Sequence, residues 1–432
     1  MLITHRANGQ PERQRPGGLP DERPRGPLSG LRVIELAGIG PAPFACMLLA
    51  DMGADVVRID RADGQRSFGD WHRYLDRGRR SLALDLKHPR GAEAVLRLAE
   101  RSDVLVEGFR PGVTERLGIG PEQCAERNPA LVYARMTGWG QDGPLAQAPG
   151  HDINYIALSG ALDAIGPADG PPVPPVNLLG DFAGGALYLV AGILAAVHES
   201  RGSGRGQVVD TAITDGTASL LGMLLGMADA GEWGHGRGGN LLDGGAPYYG
   251  VYRCADGRYV AVGALEERFY RALTDGLGFG GADGERLPDR TDRANWPALR
   301  AEFGKRFATR DRDAWAAVFD GTEACVSPVL TAAEAARHPH HRARGTYVPT
   351  ADGSQPAPAP RFGRTPATLP PPAPRPGADS RHVLAECGWS PAEVEQLLRT
   401  GAAADDPEAG RGTGRRPPLQ VFPSTAPDGG PT

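Results

Sequence analysis

Short apolar and β-branched runs recur along the first third of the chain: LRVIEL (31–36), ADVVRI (54–59), SLALDL (81–86), DVLVEG (103–108) and LVYARM (131–136). Between them, FACMLLADMG (44–53) and GAEAVLRLAERS (91–102) place apolar residues at a helical period. Strand and helix alternating at this spacing predict the α/β class, with a Rossmann-like large domain built on a parallel sheet. After residue 150 the period is helical. Ile153, Ile156, Ala157, Leu158 and Leu162 follow His151, and Leu187, Leu189, Val190, Ile193, Leu194 and Val197 follow Asp181.

A different pattern begins near residue 248. VYRCADGRYVAVG (251–263) alternates around Asp256-Gly257 and predicts a hairpin. Residues 295–320 read as helical and CVSPVL (325–330) as a short strand, so 248–335 is expected to be a small α+β domain. A helical, glycine-rich linker over 211–247 leads into it from the large domain of 28–210. A second linker over 336–402 returns the chain to the large domain through a proline-rich tract (355–376) and a final helix (381–398). Within that helix Ser390 and Pro391 read as N-cap and first position around a break. Residues 1–27 and 403–432 are rich in Pro, Arg and Gly, with little to bury, and are expected to be disordered arms.

Composition narrows the function. The 432-residue chain carries a formal charge of −5 and no basic cluster interleaved with aromatics, which argues against a nucleic-acid partner. Five scattered cysteines without a CxxC pair predict a reduced, cytoplasmic protein. The longest apolar run, Ala183 to Val197, is interrupted by glycine and shorter than a membrane span of about 20 residues, so no membrane association is expected. His338, His340 and His341 are interrupted by Pro339 and have no evident carboxylate partner, so no metal site is expected.

Two sites in the first domain suggest ligand chemistry. The turn Gly38-Ile39-Gly40-Pro41-Ala42-Pro43, with Asp60 twenty positions beyond Gly40, comes close to a dinucleotide fingerprint, but Pro43 replaces the third glycine. That argues against a nicotinamide dehydrogenase. Nearby, Arg58, Arg61, Arg66, Arg73, Arg77, Arg79 and Arg80 form a cluster suited to phosphates.

The richest chemistry lies in Gly150–Gly185, where GHDINY and NLLGDFAGG place His151 and Asp181 each at the start of a predicted helix. Neutral imidazole and ionised carboxylate are the ordinary general bases near pH 7. A pair of them can remove and return a proton on opposite faces of one carbon. Backbone N–H groups at the helix entrance around Asp152 would stabilise an enolate oxygen. Met136 is expected in the pocket wall.

GPLSGLRVIELAGIGPAPFACMLLADMGADVVRID, VEGFRPGVTERLGIG, YARMTGWGQDGP, GHDINY, PPVNLLGDFAGG, GQVVD and YRCADGRYVAVG together resemble the family III coenzyme A transferase superfamily, most of all its α-methylacyl-CoA racemase branch. The similarity covers residues 27 to about 400. It implies that His151 and Asp181 are the two acid/base groups flanking the α-carbon of a 2-methylacyl-CoA thioester. It also implies that Glu266 orients the catalytic histidine from the partner's small domain in an interlocked homodimer, that Arg116 is an active-site arginine, and that Arg61 contacts coenzyme A. Coenzyme A is then part of the substrate, and no separate cofactor is expected. The rival readings are a CoA transferase with Asp181 as nucleophile, the dehydrogenase already argued against, and a non-catalytic acyl-CoA-binding relative.

Overall fold

The computed structural model describes residues 26–64, 70–279, 286–350 and 353–406. Most of both terminal arms, 1–25 and 407–432, and Arg66 of the arginine cluster lie outside these residues.

Six parallel strands form the large sheet: β1 (Arg32–Leu36), β2 (Asp55–Arg61), β3 (Arg79–Leu84), β4 (Val104–Glu107), β5 (Val132–Thr137) and β6 (Val208–Ala212). They run in the spatial order β3-β2-β1-β4-β5-β6. The five strands expected over 31–136 are therefore present and parallel. Their side chains alternate between two cores. Val33, Val56, Val104, Val106, Val132 and Ala134 face the helices Pro41–Asp51 and Tyr188–Ser203. Ile34, Leu36, Ile59, Leu82, Leu105 and Tyr133 face the helices Pro89–Ala99, Ser380–Glu386 and Pro391–Arg399. A sheet covered on both faces explains why its strands read as near-continuous apolar runs.

Three further details refine the sequence reading. The final helix is two helices, broken at Gly388 (φ 83°), and Ser390 caps the second by accepting the Glu393 N–H at 3.3 Å. Residues 403–404, which by composition belong to the start of a disordered tail, form an antiparallel edge strand opposite Leu84 and Ala83 of β3. Ala402 and Ala403 are buried there, which closes the sheet edge. Helical structure is continuous from Leu178 to Ser203, well beyond the Ala183–Val197 run; with 26 residues and a mean hydropathy of 1.7 it is long and apolar enough to cross a membrane. Its buried face, Leu189, Val190, Ile193, Ala196 and Val197, packs into the sheet core.

The small unit is a three-stranded antiparallel sheet, β7 (Tyr249–Arg253), β8 (Tyr259–Gly263) and β9 (Val326–Pro328), with the expected hairpin turning at Gly257 (φ 77°). The helices Glu267–Gly276, Trp296–Phe307 and Arg312–Phe319 cover it through an aromatic core that includes Tyr252, Phe303, Phe307 and Trp315. The return segment adds a small hairpin, β10 (Tyr347–Thr350) with β11 (Gly353–Pro356). The proline-rich tract then packs back on the large sheet, where the Gly78 N–H donates to the Pro371 carbonyl at 2.8 Å. β12 is the short edge strand Ala403–Ala404.

Topology places the site. From β1 the chain winds outward to β2 and β3 on one side and to β4, β5 and β6 on the other, so the carboxyl ends of β1 and β4 flank a switch point where a crevice opens. The loops after β1, β4 and β5 converge on it.

Candidate active site

The β1 loop ends at Gly40 (φ 68°), immediately before Pro41 opens a helix. This glycine is required twice. Its backbone is left-handed, and a Cβ there would lie 3.2 Å from Asp181 Oδ2. Asp181 is thus held against the first βα turn of the sheet, the same turn that comes close to a dinucleotide fingerprint. Asp60, which that fingerprint would place on a ribose, is buried against Arg58 and Ser81.

The segment carrying Asp181, Leu178–Leu187, is not an ordinary α-helix. Its turns are widened to π geometry, as in the Phe182 N–H donating to the Asn177 carbonyl five residues back. Such widened turns recur at functional sites. Close backbone approach holds it in place: a Cβ at Gly184 would overlap Thr217, and one at Gly216 would overlap the Gly184 carbonyl. Phe182 stacks on Phe44 with ring centroids 4.4 Å apart.

His151 is the N-cap residue of the helix Asp152–Leu158, and its backbone N–H donates to Asn154 Oδ1 at 3.0 Å. The next residue links the two candidate bases. Asp152 is buried and its Oδ1 accepts the backbone N–H of Asp181 at 2.6 Å. The structure therefore turns the Asp152 carboxylate into the protein, toward the Asp181 backbone, rather than toward the crevice.

Burial pushes the Asp181 carboxyl up to about 6; the Asn177 hydrogen bond and His151 oppose this, and Asp152 adds to it. Asp152 is itself raised by burial, against the N–H groups of Asp181 and Gly180. A carboxyl near 6 can both accept and return a proton close to neutrality.

Beside His151 lies a cavity of about 440 Å³, walled by Arg110 and Trp139 with Tyr155 behind the histidine. Tyr155 meets Trp139 edge-on with centroids 4.8 Å apart and donates its hydroxyl to the Gly150 carbonyl. A Cβ at Gly138 would overlap the Tyr155 ring, so glycine is needed there. The loop carrying Arg110 is fixed from beneath: Glu107 accepts the Phe109 N–H at 2.7 Å, and Arg135 bridges Glu107 and Glu115.

The remaining predicted residues separate into two groups. Arg116 ends the short helix Val113–Arg116, exposed and without an ion pair among the described residues. Arg61, at the carboxyl end of β2, is exposed and pairs only with Asp63 at 2.7 Å among the described residues. Glu266 is exposed just before the helix Glu267–Gly276 of the small unit, near Cys325, and within one chain no contact joins it to His151 among the described residues.

Three expectations for ligand-binding residues are corrected. Arg58 is buried and ion-paired with Asp60 at 3.0 Å and Asp76 at 2.9 Å. Arg80 lies at the amino end of β3, away from the crevice, where Asp55 and Glu386 hold it. Met136 is 2% exposed and belongs to the sheet core rather than a pocket wall. Arg77 and Arg79 are likewise buried, against Asp51 and Glu35, so most of the arginine cluster is internal structure. Arg110, Asn177, Trp139 and Tyr155 join the site without having stood out in the sequence. For Asn177 a signal existed in its i to i+4 spacing from Asp181.

Residues 28–380 match the family model described as CoA-transferase family III. The chain is 47% identical to the alpha-methylacyl-CoA racemase of Mus musculus and 44% identical to that of Homo sapiens, in each case over 86% of this chain and 96% of the relative. Among solved structures, a CAIB/BAIF family protein from Brucella suis superposes with a TM-score of 0.73 at 27% identity, covering 84% of this chain and all of that one. The chain belongs to CoA-transferase family III.

Proposed function

We propose that the protein interconverts the (R) and (S) forms of 2-methylacyl-CoA thioesters by proton transfer at the α-carbon, with His151 and Asp181 as the two acid/base groups. The racemase activity itself rests on the high identity to alpha-methylacyl-CoA racemases over nearly their whole length. The observation that carries the mechanism is the link from His151 through Asp152 to Asp181: two proton-transfer groups on separate elements are tied by one hydrogen bond of 2.6 Å.

A thioester α-proton is far less acidic than imidazolium or a carboxylic acid, so its removal demands stabilisation of the enolate oxygen. The Asn154 and Tyr155 N–H groups donate to the His151 carbonyl, which leaves those of Asp152 and Ile153, at the start of the helix, as the backbone donors for this oxygen. In one direction His151 removes the proton and the protonated Asp181 returns one to the other face; in the reverse direction the roles exchange. Arg61 remains accessible for the anionic end of coenzyme A, Arg116 is exposed and available as an active-site arginine, and the cavity beside His151 is large enough for part of the thioester.

A second copy of the chain completes the site in this reading. Ile153, Leu158, Leu178, Leu187, Met223 and Leu225 are each more than 40% exposed; the first four lie on the packed segments Asp152–Leu158 and Leu178–Leu187, and the last two on the helix Gly222–Asp229. An interlocked dimer would cover this apolar face and bring the partner's small unit, with its Glu266, to His151.

Replacing His151 with alanine tests the assignment. Interconversion should be lost, while Asp181 still exchanges the α-proton of one epimer. Unchanged racemisation in that variant would remove His151 from the mechanism. Glu266→Gln should lower turnover without loss of the dimer.

A further inference from the structure

Asp181 has one side-chain hydrogen-bond donor among the described residues, and the reaction proposed above leaves it unused. Asn177 Nδ2 donates to Asp181 Oδ2 at 3.3 Å. The residue before it, Val176, is 73% exposed and holds φ at 60°, a left-handed conformation that is costly for a β-branched side chain. No burial of Val176 accounts for that backbone. Its geometric effect is to deliver the chain into the widened helix with Asn177 beneath the carboxyl group. Strain of this kind persists where surrounding structure over-determines it, and it concentrates at active sites.

Gly40, in the first βα turn, faces Oδ2 with no side chain, and a Cβ there would lie 3.2 Å from it. The titratable groups facing the carboxyl are His151, Asp152 and Tyr155. Of these, Asp152 spends its Oδ1 on the Asp181 backbone rather than on its side chain. Oδ2 is therefore engaged by Asn177, with room beside it that a side chain at position 40 would take up, while Oδ1 has no hydrogen-bond donor among the described residues.

We propose that Asn177 is a positioning residue for Asp181: its amide fixes Oδ2 and leaves Oδ1 as the oxygen that accepts and returns the substrate proton. This inference rests on the racemase reading. A donor to the ionised carboxylate also favours that form, so its removal moves the titration of Asp181 upward.

Asn177→Asp is the discriminating variant. Asp serves as an N-cap about as well as Asn, so a merely structural role at the head of the widened helix survives this change. A positioning role does not, because the donor is replaced by a second carboxylate that competes for the same proton. The full-length protein is assayed for kcat/KM across pH on the 2-methylacyl-CoA epimer that His151→Ala still exchanges, the one from which Asp181 takes the proton, alongside α-proton exchange in deuterium oxide. The expected result is an acid limb displaced upward by about one pH unit in Asn177→Ala and further in Asn177→Asp, with kcat falling more than KM rises and the melting temperature of Asn177→Asp close to that of the parent. An unmoved acid limb in both folded variants overturns the proposal. If the parent protein itself exchanges no α-proton, the racemase reading has failed instead.

Discussion

Asp152 Oδ1 accepts the backbone N–H of Asp181 across a gap of 29 residues in sequence, at 2.6 Å. The two elements that carry the proposed acid/base pair therefore share one rigid joint. A Cβ at Gly180 would overlap the same oxygen, so the joint also requires glycine at that position.

Asp152→Asn keeps an acceptor at this position and removes a charge that raises the Asp181 pKa. For the epimer from which Asp181 takes the proton, the acid limb of the rate profile should move to lower pH, the opposite sign to Asn177→Ala. Asp152→Ala loses the acceptor altogether and should also destabilise the fold by about 1–3 kcal/mol. Paired kcat/KM profiles and denaturant titrations check both effects.

Asp181→Asn should inactivate the enzyme and stabilise it. A carboxyl raised to about 6 in the folded state, against 3.8 as its ordinary value, favours the native state when protonated and opposes it when ionised. The cost is fully present above about pH 6 and fades as pH falls toward 4. With screening on the open side of the crevice, a gain of about 1–2 kcal/mol is expected at pH 7. Melting temperatures of the two proteins should converge between pH 7 and pH 4; an equal gap at both ends would contradict burial of the ionised carboxylate as the source of the gain.

Arg58 and Arg61 lie three residues apart and should behave differently. Arg58→Ala leaves Asp60 and Asp76 buried without their cation and should cost about 3–5 kcal/mol in denaturant unfolding. Arg61→Ala breaks only an exposed pair with Asp63, so stability should change by less than about 1 kcal/mol while KM for the acyl-CoA rises. A KM effect from neither would remove this region from substrate binding.

The contrast between these arginines shows what sequence carries and what it does not. The parallel sheet was legible because apolar runs and helical periods alternate over residues 31–136, and the hairpin because Asp256-Gly257 sits between alternating strands. Arg58 and Arg61 look alike in sequence, yet pleating and strand position bury one beneath Asp76 and expose the other at the strand end. His151 and Asp181 stood out as titratable groups at predicted helix starts. Their connection did not, because it runs from a side chain to a backbone N–H 29 residues away. The widened turns of Leu178–Leu187 were hidden as well, since apolar positions alone do not distinguish i+4 from i+5 bonding.

The most direct test of the central claim is proton NMR of the purified protein with a 2-methylacyl-CoA in deuterium oxide, without an acceptor acid or added cofactor. The account predicts loss of the α-proton signal together with formation of both epimers. Retention of the α-proton, followed by CoA transfer once a free carboxylic acid is supplied, would contradict it and make Asp181 a nucleophile.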